Sequence, residues 1–232
     1  MTLSQRMLKI VNFVETGTKI LDVGTDHGYI PIYLVENGIS KNVIASDISK
    51  KSLEKTIRKV KHKKLEEYID VRLGDGLNVI EPNEVDGVIM AGMGGILIEE
   101  ILEKSKDITD TIDYLIFQPM IGSKELRQYL NKNSFKIVDE ELAKDKDKFY
   151  EIIYAKRGKG DLKDNIGFEL SKKLIEKKHP LLGSFLEYKI KKYSKILEGL
   201  KYKASYKSKK RYNELEFLIS QYREVLREIE TK

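Results

Sequence analysis

The chain has 232 residues, 41% of them hydrophobic and 34% charged, a balance that allows a sizeable core beneath a well-solvated surface. It has no cysteine, which excludes disulfides and thiolate metal sites, and its three scattered histidines argue against a histidine-rich metal centre. It has no run of eighteen apolar residues and no secretory signal pattern, so we expect a cytoplasmic protein without membrane contact or bound metal.

The net charge of +6 is unevenly distributed along the chain. Residues 159–232 hold 19 Lys and Arg against 11 Asp and Glu, whereas residues 1–158 hold 24 against 26. A basic second part beside a near-neutral first part predicts contact with a polyanion, although a general lysine bias would give the same balance.

The first 157 residues alternate short apolar runs with helical segments. Seven runs are predicted to be strands: 19–23, 42–47, 68–73, 85–91, 113–119, 135–142 and 149–157. Helices are predicted at 30–37, 49–64, 95–105 and 123–132, the second with Ser49 as its N-cap. Four of the strands are continuously apolar, as in parallel strands covered on both faces, and the last two have no long helix between them. We therefore predict an open α/β sheet that ends in an antiparallel hairpin.

The chain changes character after Arg157. Residues 158–161 are predicted to be a linker, and helical segments follow at roughly 166–177, 181–203 and 208–230. Apolar residues recur with the same 4-3-4-3 spacing in the last two segments, which predicts an antiparallel coiled-coil hairpin; they are Leu186, Ile190, Tyr193, Leu197, Leu200, and then Leu215, Ile219, Tyr222, Leu226, Ile229. The connection, residues 201–211, has six basic residues and no acidic one, interleaved with tyrosines. It is either a solvated loop or a nucleic-acid contact.

The first strand runs into the motif D-x-G-x-D-x-G, formed by Asp22, Gly24, Asp26 and Gly28. This is not the dinucleotide fingerprint, and a carboxylate at Asp26 would repel a pyrophosphate. The same carboxylate would attract S-adenosylmethionine, which has an ammonium and a sulfonium but no phosphate. Gly24 lets the backbone approach a ligand, and Gly28 permits a tight turn into the helix. Asp26 could also serve as a helix N-cap, with Pro31 in the first turn.

Further polar and glycine-rich segments follow the next strands. Asp47 ends the second strand, where an acid can accept hydrogen bonds from two ribose hydroxyls. Asp75 follows the third strand, either as a partner for the adenine amine or as an ordinary Asp-Gly turn. The sequence AGMGG (91–95) follows the fourth strand and leaves room for cofactor and substrate to meet. Because ligands of open α/β sheets bind outside the carboxyl ends of the strands, the set indicates a methyltransferase.

The segments LDVGTDHGYIPIYL, IASDIS, GDGL, AGMGG, FQP, LRQYL and KFYEIIYA resemble the bacterial tRNA (adenine-22-N1)-methyltransferases. The resemblance extends to GFELSKKLIEKKHPLL (167–182) at the start of the helical tail. It implies a Rossmann-like S-adenosylmethionine-dependent methyltransferase domain over residues 1–157 and an α-helical coiled-coil tRNA-binding domain over residues 158–232. The sequence departs from the family at Met120, where asparagine usually follows Gln-Pro.

The motifs and the resemblance together define the residues that we expect to act in methyl transfer to N1 of an adenine in tRNA. The expected catalytic residues are Asp26 to stabilise the methylated base, His27 as a proton shuttle or as a support of the loop, and Tyr29 to stack on the adenine or to pack in the core. The expected cofactor-binding residues are Asp22, Gly24, Thr25, Asp26, Gly28, Asp47, Ile48, Asp75, Gly76, Ala91, Gly92, Met93 and Gly94. The expected tRNA-binding residues are Lys201, Lys203, Lys207, Lys209, Lys210 and Arg211.

Other function classes remain open on the sequence alone. A methyltransferase acting on another RNA base, a small molecule or a protein would share the first domain but would not need the basic hairpin. A non-catalytic RNA-binding protein would keep the hairpin but would not need Asp47, Asp75 and the glycine loops together. The absence of an Asn/Asp-Pro-Pro-aromatic motif after the fourth strand favours a ring nitrogen over an exocyclic amine as the methyl acceptor. We expect a monomer.

Overall fold

A computed structural model describes residues 2–160, 165–201 and 205–230. The chain divides into two compact units, Met1–Lys163 and Asp164–Lys232. Within the described ranges, no helix is both long enough and apolar enough to cross a membrane.

The first unit is built on one seven-stranded sheet with the order β3-β2-β1-β4-β5-β7-β6. Its strands are β1 (Ile20–Val23), β2 (Val43–Asp47), β3 (Ile69–Leu73), β4 (Gly87–Gly94), β5 (Tyr114–Ile121), β6 (Phe135–Asp145) and β7 (Lys148–Arg157). Strand β7 is antiparallel to both of its neighbours, and the other strand pairs are parallel. All seven predicted strands and the antiparallel final hairpin are therefore confirmed.

Three of these strands run further than the sequence predicts, and one of them is β6, which continues to Asp145. Strand β4 continues to Gly94 and β5 to Ile121, because the ends of the two strands pair with each other. The register along this extension is irregular between Ala91 and Gly94. The glycine-rich segment after the fourth strand is thus part of the sheet edge rather than a separate loop.

Six helices accompany the sheet in the described part of the first unit: α1 (Gln5–Val11), α2 (Tyr29–Glu36), α3 (Lys50–His62), α4 (Gly95–Lys104), α5 (Lys106–Thr109) and α6 (Ser123–Lys132). The four predicted helices are confirmed as α2, α3, α4 and α6, and the Ser49 hydroxyl caps α3 by accepting from the Ser52 amide. Helix α1 and the short α5 were not predicted.

Each face of the sheet has its own apolar core. One core combines strand residues with Ile10 of α1, Ile32 of α2 and Val60 of α3. The other core contains Leu102 of α4 and Leu130 of α6. Helices α1, α2 and α3 therefore cover one face and α4 and α6 the other. Because β1, β2 and β4 are parallel, their carboxyl ends lie at the same edge of the sheet.

The second unit contains α7 (Asn165–Glu169), α8 (Lys172–Glu176), α9 (Leu182–Leu200) and α10 (Tyr206–Glu230). The prediction of a single helix over 166–177 is wrong, because two helices form there. The second begins after Ser171, whose hydroxyl caps it by accepting from the Leu174 amide. The other two predicted helices are confirmed as α9 and α10, although α10 begins at Tyr206 rather than at residue 208.

Helices α9 and α10 pack against each other in antiparallel directions. A Cβ atom placed at Gly183 would lie 3.8 Å from side-chain atoms of Leu226 and Ile229, and the rings of Tyr193 and Tyr222 stack with centroids 6.0 Å apart. The predicted apolar seam is buried at Leu186, Leu215, Ile219 and Tyr222. The helical hairpin follows the prediction, and a supercoiled form of it stays a prediction.

Candidate functional site

The loop between β1 and α2 has an unusual backbone. Gly24, His27 and Gly28 adopt φ values of +73°, +64° and +65°, in the left-handed region that favours glycine. The amides of Gly24 and Thr25 both donate to the Ser46 carbonyl at 2.8 Å, which fixes the loop to β2. A Cβ atom at Gly28 would lie 2.7 Å from the Thr56 methyl group, so the loop passes close to α3.

The alternative role of Asp26 as a helix cap is wrong. Helix α2 is preceded by Gly28, whose left-handed conformation turns the chain into the helix without a side-chain cap. The side chain of Asp26 is 76% exposed, and its Oδ1 lies 3.4 Å from His27 Nε2 and 3.5 Å from Ser52 Oγ. Its carboxylate is consequently available to a ligand.

A cavity of about 270 Å³ lies at this edge of the sheet. It brings together six of the residues predicted from sequence, which are Asp22, Gly24, Asp26, Tyr29, Ala91 and Gly92. The rest of its wall comes from α1 and α2 through Arg6, Met7, Ile10 and Ile30, none of which was predicted. The cavity therefore contains two carboxylates and one guanidinium.

Asp22 is the buried acid of the cavity, with only 5% of its surface exposed. Burial raises the pKa of Asp22 to about 7, and repulsion from Asp47 acts in the same direction. A cation bound beside Asp22 would favour the charged carboxylate, so the site is suited to a cationic ligand.

Arg6 is held at the cavity from two sides. Its Nη1 donates to the side-chain oxygen of Gln118, which is fully buried at the end of β5, and its guanidinium lies 5.5 Å from the ring centroid of Tyr150. Gln118 is itself oriented by donating to the Pro119 carbonyl at 3.0 Å. The sequence signal for this contact is Gln118, a polar residue that directly follows the apolar run YLIF (114–117). No local pattern indicates Arg6.

The predicted adenosine-binding residues lie outside this cavity. Asp47 Oδ1 accepts from the Ser49 amide at 2.7 Å, and the side chain of Ile48 beside it is 72% exposed. Asp75 accepts from Lys104 Nζ at 2.7 Å and lines a separate cavity of about 140 Å³ together with Gly76. These residues nevertheless follow β2 and β3, whose carboxyl ends lie at the same sheet edge as the loop after β1.

The remaining predicted residues lie in or beside the cavity wall. Thr25 is buried next to Asp26, and Met93 and Gly94 form the end of β4. A Cβ atom at Gly24 would lie 2.5 Å from Met93 Cε, so these two segments touch. Met120 is half exposed at the end of β5, with its sulfur 3.6 Å from Gln118 Nε2.

His27 and Tyr29 form a small aromatic group at the start of α2. Their ring centroids are 5.6 Å apart, and Lys59 Nζ lies 3.6 Å from the centroid of the Tyr29 ring. Lys55 Nζ lies 3.5 Å from His27 Nε2. One face of the Tyr29 ring is thus covered by a lysine of α3.

The basic residues predicted to bind tRNA belong to the second unit. Lys207, Lys209, Lys210 and Arg211 are exposed on the first turns of α10 rather than in a loop, and Arg211 pairs with Glu214 at 3.2 Å. Lys201 follows the last residue of α9, and Lys203 lies outside the described residues. No group of three or more His, Asp or Glu that could hold a metal occurs in the described ranges.

The sheet order and the cavity at its carboxyl edge are those of a Rossmann-like methyltransferase, and a family model described as "Methyltransferase domain" matches residues 3–153. The chain is 36% identical to the tRNA (adenine(22)-N(1))-methyltransferase of Bacillus subtilis, over 68% of this chain and 67% of that protein. It belongs to the tRNA (adenine-22-N1)-methyltransferase family, as the resemblance predicts.

Solved structures of this family share the fold of nearly the whole chain. The Bacillus subtilis m1A22 tRNA methyltransferase is 30% identical, with a TM-score of 0.86 over 97% of this chain and 99% of that one. A Streptococcus pneumoniae structure, described as a putative tRNA (m1A22) methyltransferase in complex with S-adenosyl-L-methionine, is 31% identical, with a TM-score of 0.83 over 97% and 100%. The likeness includes the helical second unit.

Proposed function

We propose that this chain transfers the methyl group of S-adenosylmethionine to N1 of adenine 22 in tRNA. The observation that carries the proposal is the likeness along nearly the whole chain to a family member solved with that cofactor. The chain's own cavity fits the cofactor, because it offers a buried acid and a basic side chain to a ligand whose methionine end carries an ammonium and a carboxylate.

We assign the methionine end of the cofactor to the cavity. Asp22 would hold the ammonium, since a nearby cation relieves the cost of ionising this buried carboxyl. Arg6 would hold the carboxylate, and its bond to Gln118 limits the directions in which the guanidinium can point. Gly24 and Gly92 supply backbone that a ligand can approach closely.

We assign the adenosine end of the cofactor to the carboxyl ends of β2 and β3. Asp47 would accept from the ribose hydroxyls, with Ile48 against the adenine and Asp75 near its amine. Asp75 would then exchange its contact with Lys104 for the ligand. The other residues proposed to contact the cofactor lie in the loops after β1 and β3 and at the end of β4; they are Thr25, Gly28, Gly76, Ala91, Met93 and Gly94.

The rate of the reaction depends more on the position of the adenine than on removal of a proton. The bound cofactor supplies an electrophilic methyl group on a positively charged sulfur, and N1 of adenine has an unprotonated lone pair at neutral pH. Holding N1 in line with that methyl group can contribute about 7–11 kcal/mol. The exposed carboxylate of Asp26 would stabilise the positive charge that the base acquires.

His27 would support the loop, and Tyr29 would stack on the adenine. His27 holds a left-handed backbone conformation between Asp26 and Gly28, which favours a role in setting the loop's shape. Tyr29 lines the cavity, and Lys59 covers one face of its ring, so an extruded adenine would stack on the other face. The basic residues of α10 would contact tRNA phosphates.

Mass analysis of tRNA treated with this protein and labelled S-adenosylmethionine tests the proposal. We expect one methyl group on adenine 22 of a transcript and none when guanine replaces that base. Asp26→Asn should slow the single-turnover rate about 10- to 100-fold, because the carboxylate charge near the methylated base is lost. Asp113→Asn, which changes an exposed aspartate before β5, is the matched control. Equal rates for parent and Asp26→Asn would remove Asp26 from the reaction, and no methylation of adenine 22 would refute the function.

A further inference from the structure

Helix α3 and the two residues after it form a strongly basic segment in an otherwise acidic part of the chain. Residues 50–64 hold eight Lys and Arg against one Glu, whereas the other residues between 1 and 158 hold 16 Lys and Arg against 25 Asp and Glu. The near-neutral charge of this part of the chain conceals the contrast. A local excess of this size attracts polyanions.

Three of the cations of α3 lie on one side of the helix. Lys51, Lys55 and Arg58 follow the i, i+4, i+7 spacing of a single helix face, and His62 continues it. With a rise of about 1.5 Å per residue, this basic stripe is about 16 Å long from Lys51 to His62. Lys51, Lys55 and Arg58 form no ion pair with a carboxylate of any residue that the structure describes.

The basic stripe lies next to the loop that carries the proposed catalytic residues. Lys55 Nζ is 3.5 Å from His27 Nε2, and Ser52 Oγ is 3.5 Å from Asp26 Oδ1. Lys59 contacts the Tyr29 ring, and its buried Nζ has no hydrogen-bond partner in the described part of the chain. The stripe and the loop therefore form one continuous surface.

Helix α4, on the other face of the sheet, carries the opposite charge. Helix α4 presents Glu99, Glu100 and Glu103, and the latter two are exposed. Since α1 and α2 also line the cavity on the α3 face, a polyanion approaching the cavity is attracted from the α3 side and repelled from the α4 side.

We propose that the basic stripe of α3 binds the RNA backbone beside the target adenine. This inference rests on the proposed function, since it concerns how tRNA is held during that reaction. The adenine must leave its helix before its N1 atom can reach the methyl group of the cofactor. Cations that bind the phosphates on either side of the base would hold it in that position. Three cations 3 to 7 residues apart on a rigid helix, adjacent to Asp26 and His27, supply such a grip close to the reacting base, whereas the basic residues of α10 belong to the second unit.

The test removes the three cations while keeping the helix. The triple variant Lys51→Gln, Lys55→Gln, Arg58→Gln retains similar helix propensity. The matched control, which removes three exposed lysines from the opposite edge of the same unit, is Lys41→Gln, Lys132→Gln, Lys136→Gln. Both lose three charges, so a difference between them reports location rather than net charge.

We expect the stripe variant to bind tRNA at least about tenfold more weakly at moderate salt and to flatten the dependence of log K on log salt by about two to three units. The control should keep the parent's affinity and slope. Affinity for S-adenosylmethionine, measured by calorimetry, and the melting temperature should match the parent in both variants. A double variant, Lys51→Gln with Arg58→Gln, spares the contact with His27 and should give about two thirds of the slope change.

The inference is overturned if the stripe variant retains the parent's tRNA affinity and salt slope while the parent methylates tRNA. It is equally overturned if the control triple weakens tRNA binding as much as the stripe variant. A parent that neither binds nor methylates tRNA would overturn the proposed function together with this inference.

Discussion

Replacing Gly24 by alanine tests whether the backbone at this position approaches the cofactor. Gly24→Ala forces alanine to adopt φ +73°, and the left-handed region costs a residue with a Cβ atom about 1–2 kcal/mol. The new methyl carbon would also lie 2.5 Å from Met93 Cε, so the side chain of Met93 must move. Because both residues stand at the wall of the proposed cofactor site, we expect a loss of affinity in addition to a loss of stability.

Gly17 provides the matched control for this substitution. It has φ +88°, and a Cβ atom there meets nothing within 4 Å. Gly17→Ala should therefore lower the free energy of unfolding by about 1–2 kcal/mol through backbone strain alone. Gly24→Ala should lose at least as much.

Urea denaturation followed by circular dichroism measures the two stabilities, and calorimetric titration with S-adenosylmethionine measures the affinities. We expect Gly24→Ala to bind the cofactor at least about tenfold more weakly, or about 1.4 kcal/mol, and Gly17→Ala to bind it as the parent does. If the two variants bind the cofactor equally well, the backbone at Gly24 does not approach the ligand, and the cavity does not hold the methionine end of the cofactor.

Two further predictions concern the charges of the sites. Because burial raises the pKa of Asp22 to about 7 and only its ionised form attracts an ammonium, affinity for S-adenosylmethionine should rise about tenfold between pH 6 and pH 8. This rise should be absent in Asp22→Asn, and calorimetry at both pH values would contradict the assignment if the variant kept it. In the second unit, alanine at four exposed basic residues of α10 should raise the dissociation constant for tRNA and flatten its salt dependence by about one unit for each phosphate that is no longer bound, without altering cofactor affinity; the four are Lys207, Lys209, Lys210 and Arg211. Filter binding across a salt series measures both quantities, and an unchanged slope would make these residues a solvated surface.

The sequence was sufficient for the elements of the sheet because their signals are local. Continuous apolar runs mark the buried parallel strands, and Ser49 marks the start of α3. The bounds that differ depend on contacts between distant residues, as when the ends of β4 and β5 pair beyond their apolar segments. The start of α10 at Tyr206 also has a local signal, because Ser205 accepts from the Ser208 amide and caps the helix.

The candidate site was only partly predictable, for a similar reason. The motif around Gly24 and Asp26 identifies the loop, but the cap of α2 is decided by the left-handed Gly28 rather than by the nearest carboxylate. Arg6 reaches the cavity through a hydrogen bond to Gln118, 112 residues further along the chain, and no periodicity or spacing reveals such an interaction. The positive charge of α3 is visible in the sequence, but the acidic residues in the rest of residues 1–158 offset it in the net charge.

The antiparallel strand β7 connects the stability of the first unit to the position of the cavity's cation. Successive residues of a strand point to opposite faces of the sheet. Glu151 faces α6, where Glu151 and Glu140 both pair with the fully buried Arg127 at 2.7 Å. Ser123 Oγ also donates to Glu151 at 3.0 Å.

Tyr150 points the other way and packs with the core beneath α1, where it lies under the guanidinium of Arg6. A buried charge network of this kind is costly to break, about 3–5 kcal/mol when one partner is removed, so the hairpin is held firmly in register. Arg6 is positioned by this part of the sheet, because its guanidinium packs on Tyr150 of β7 and donates a hydrogen bond to Gln118 of β5. The strand that departs from the parallel sheet thus fixes a cation at a site otherwise built from the loops of parallel strands.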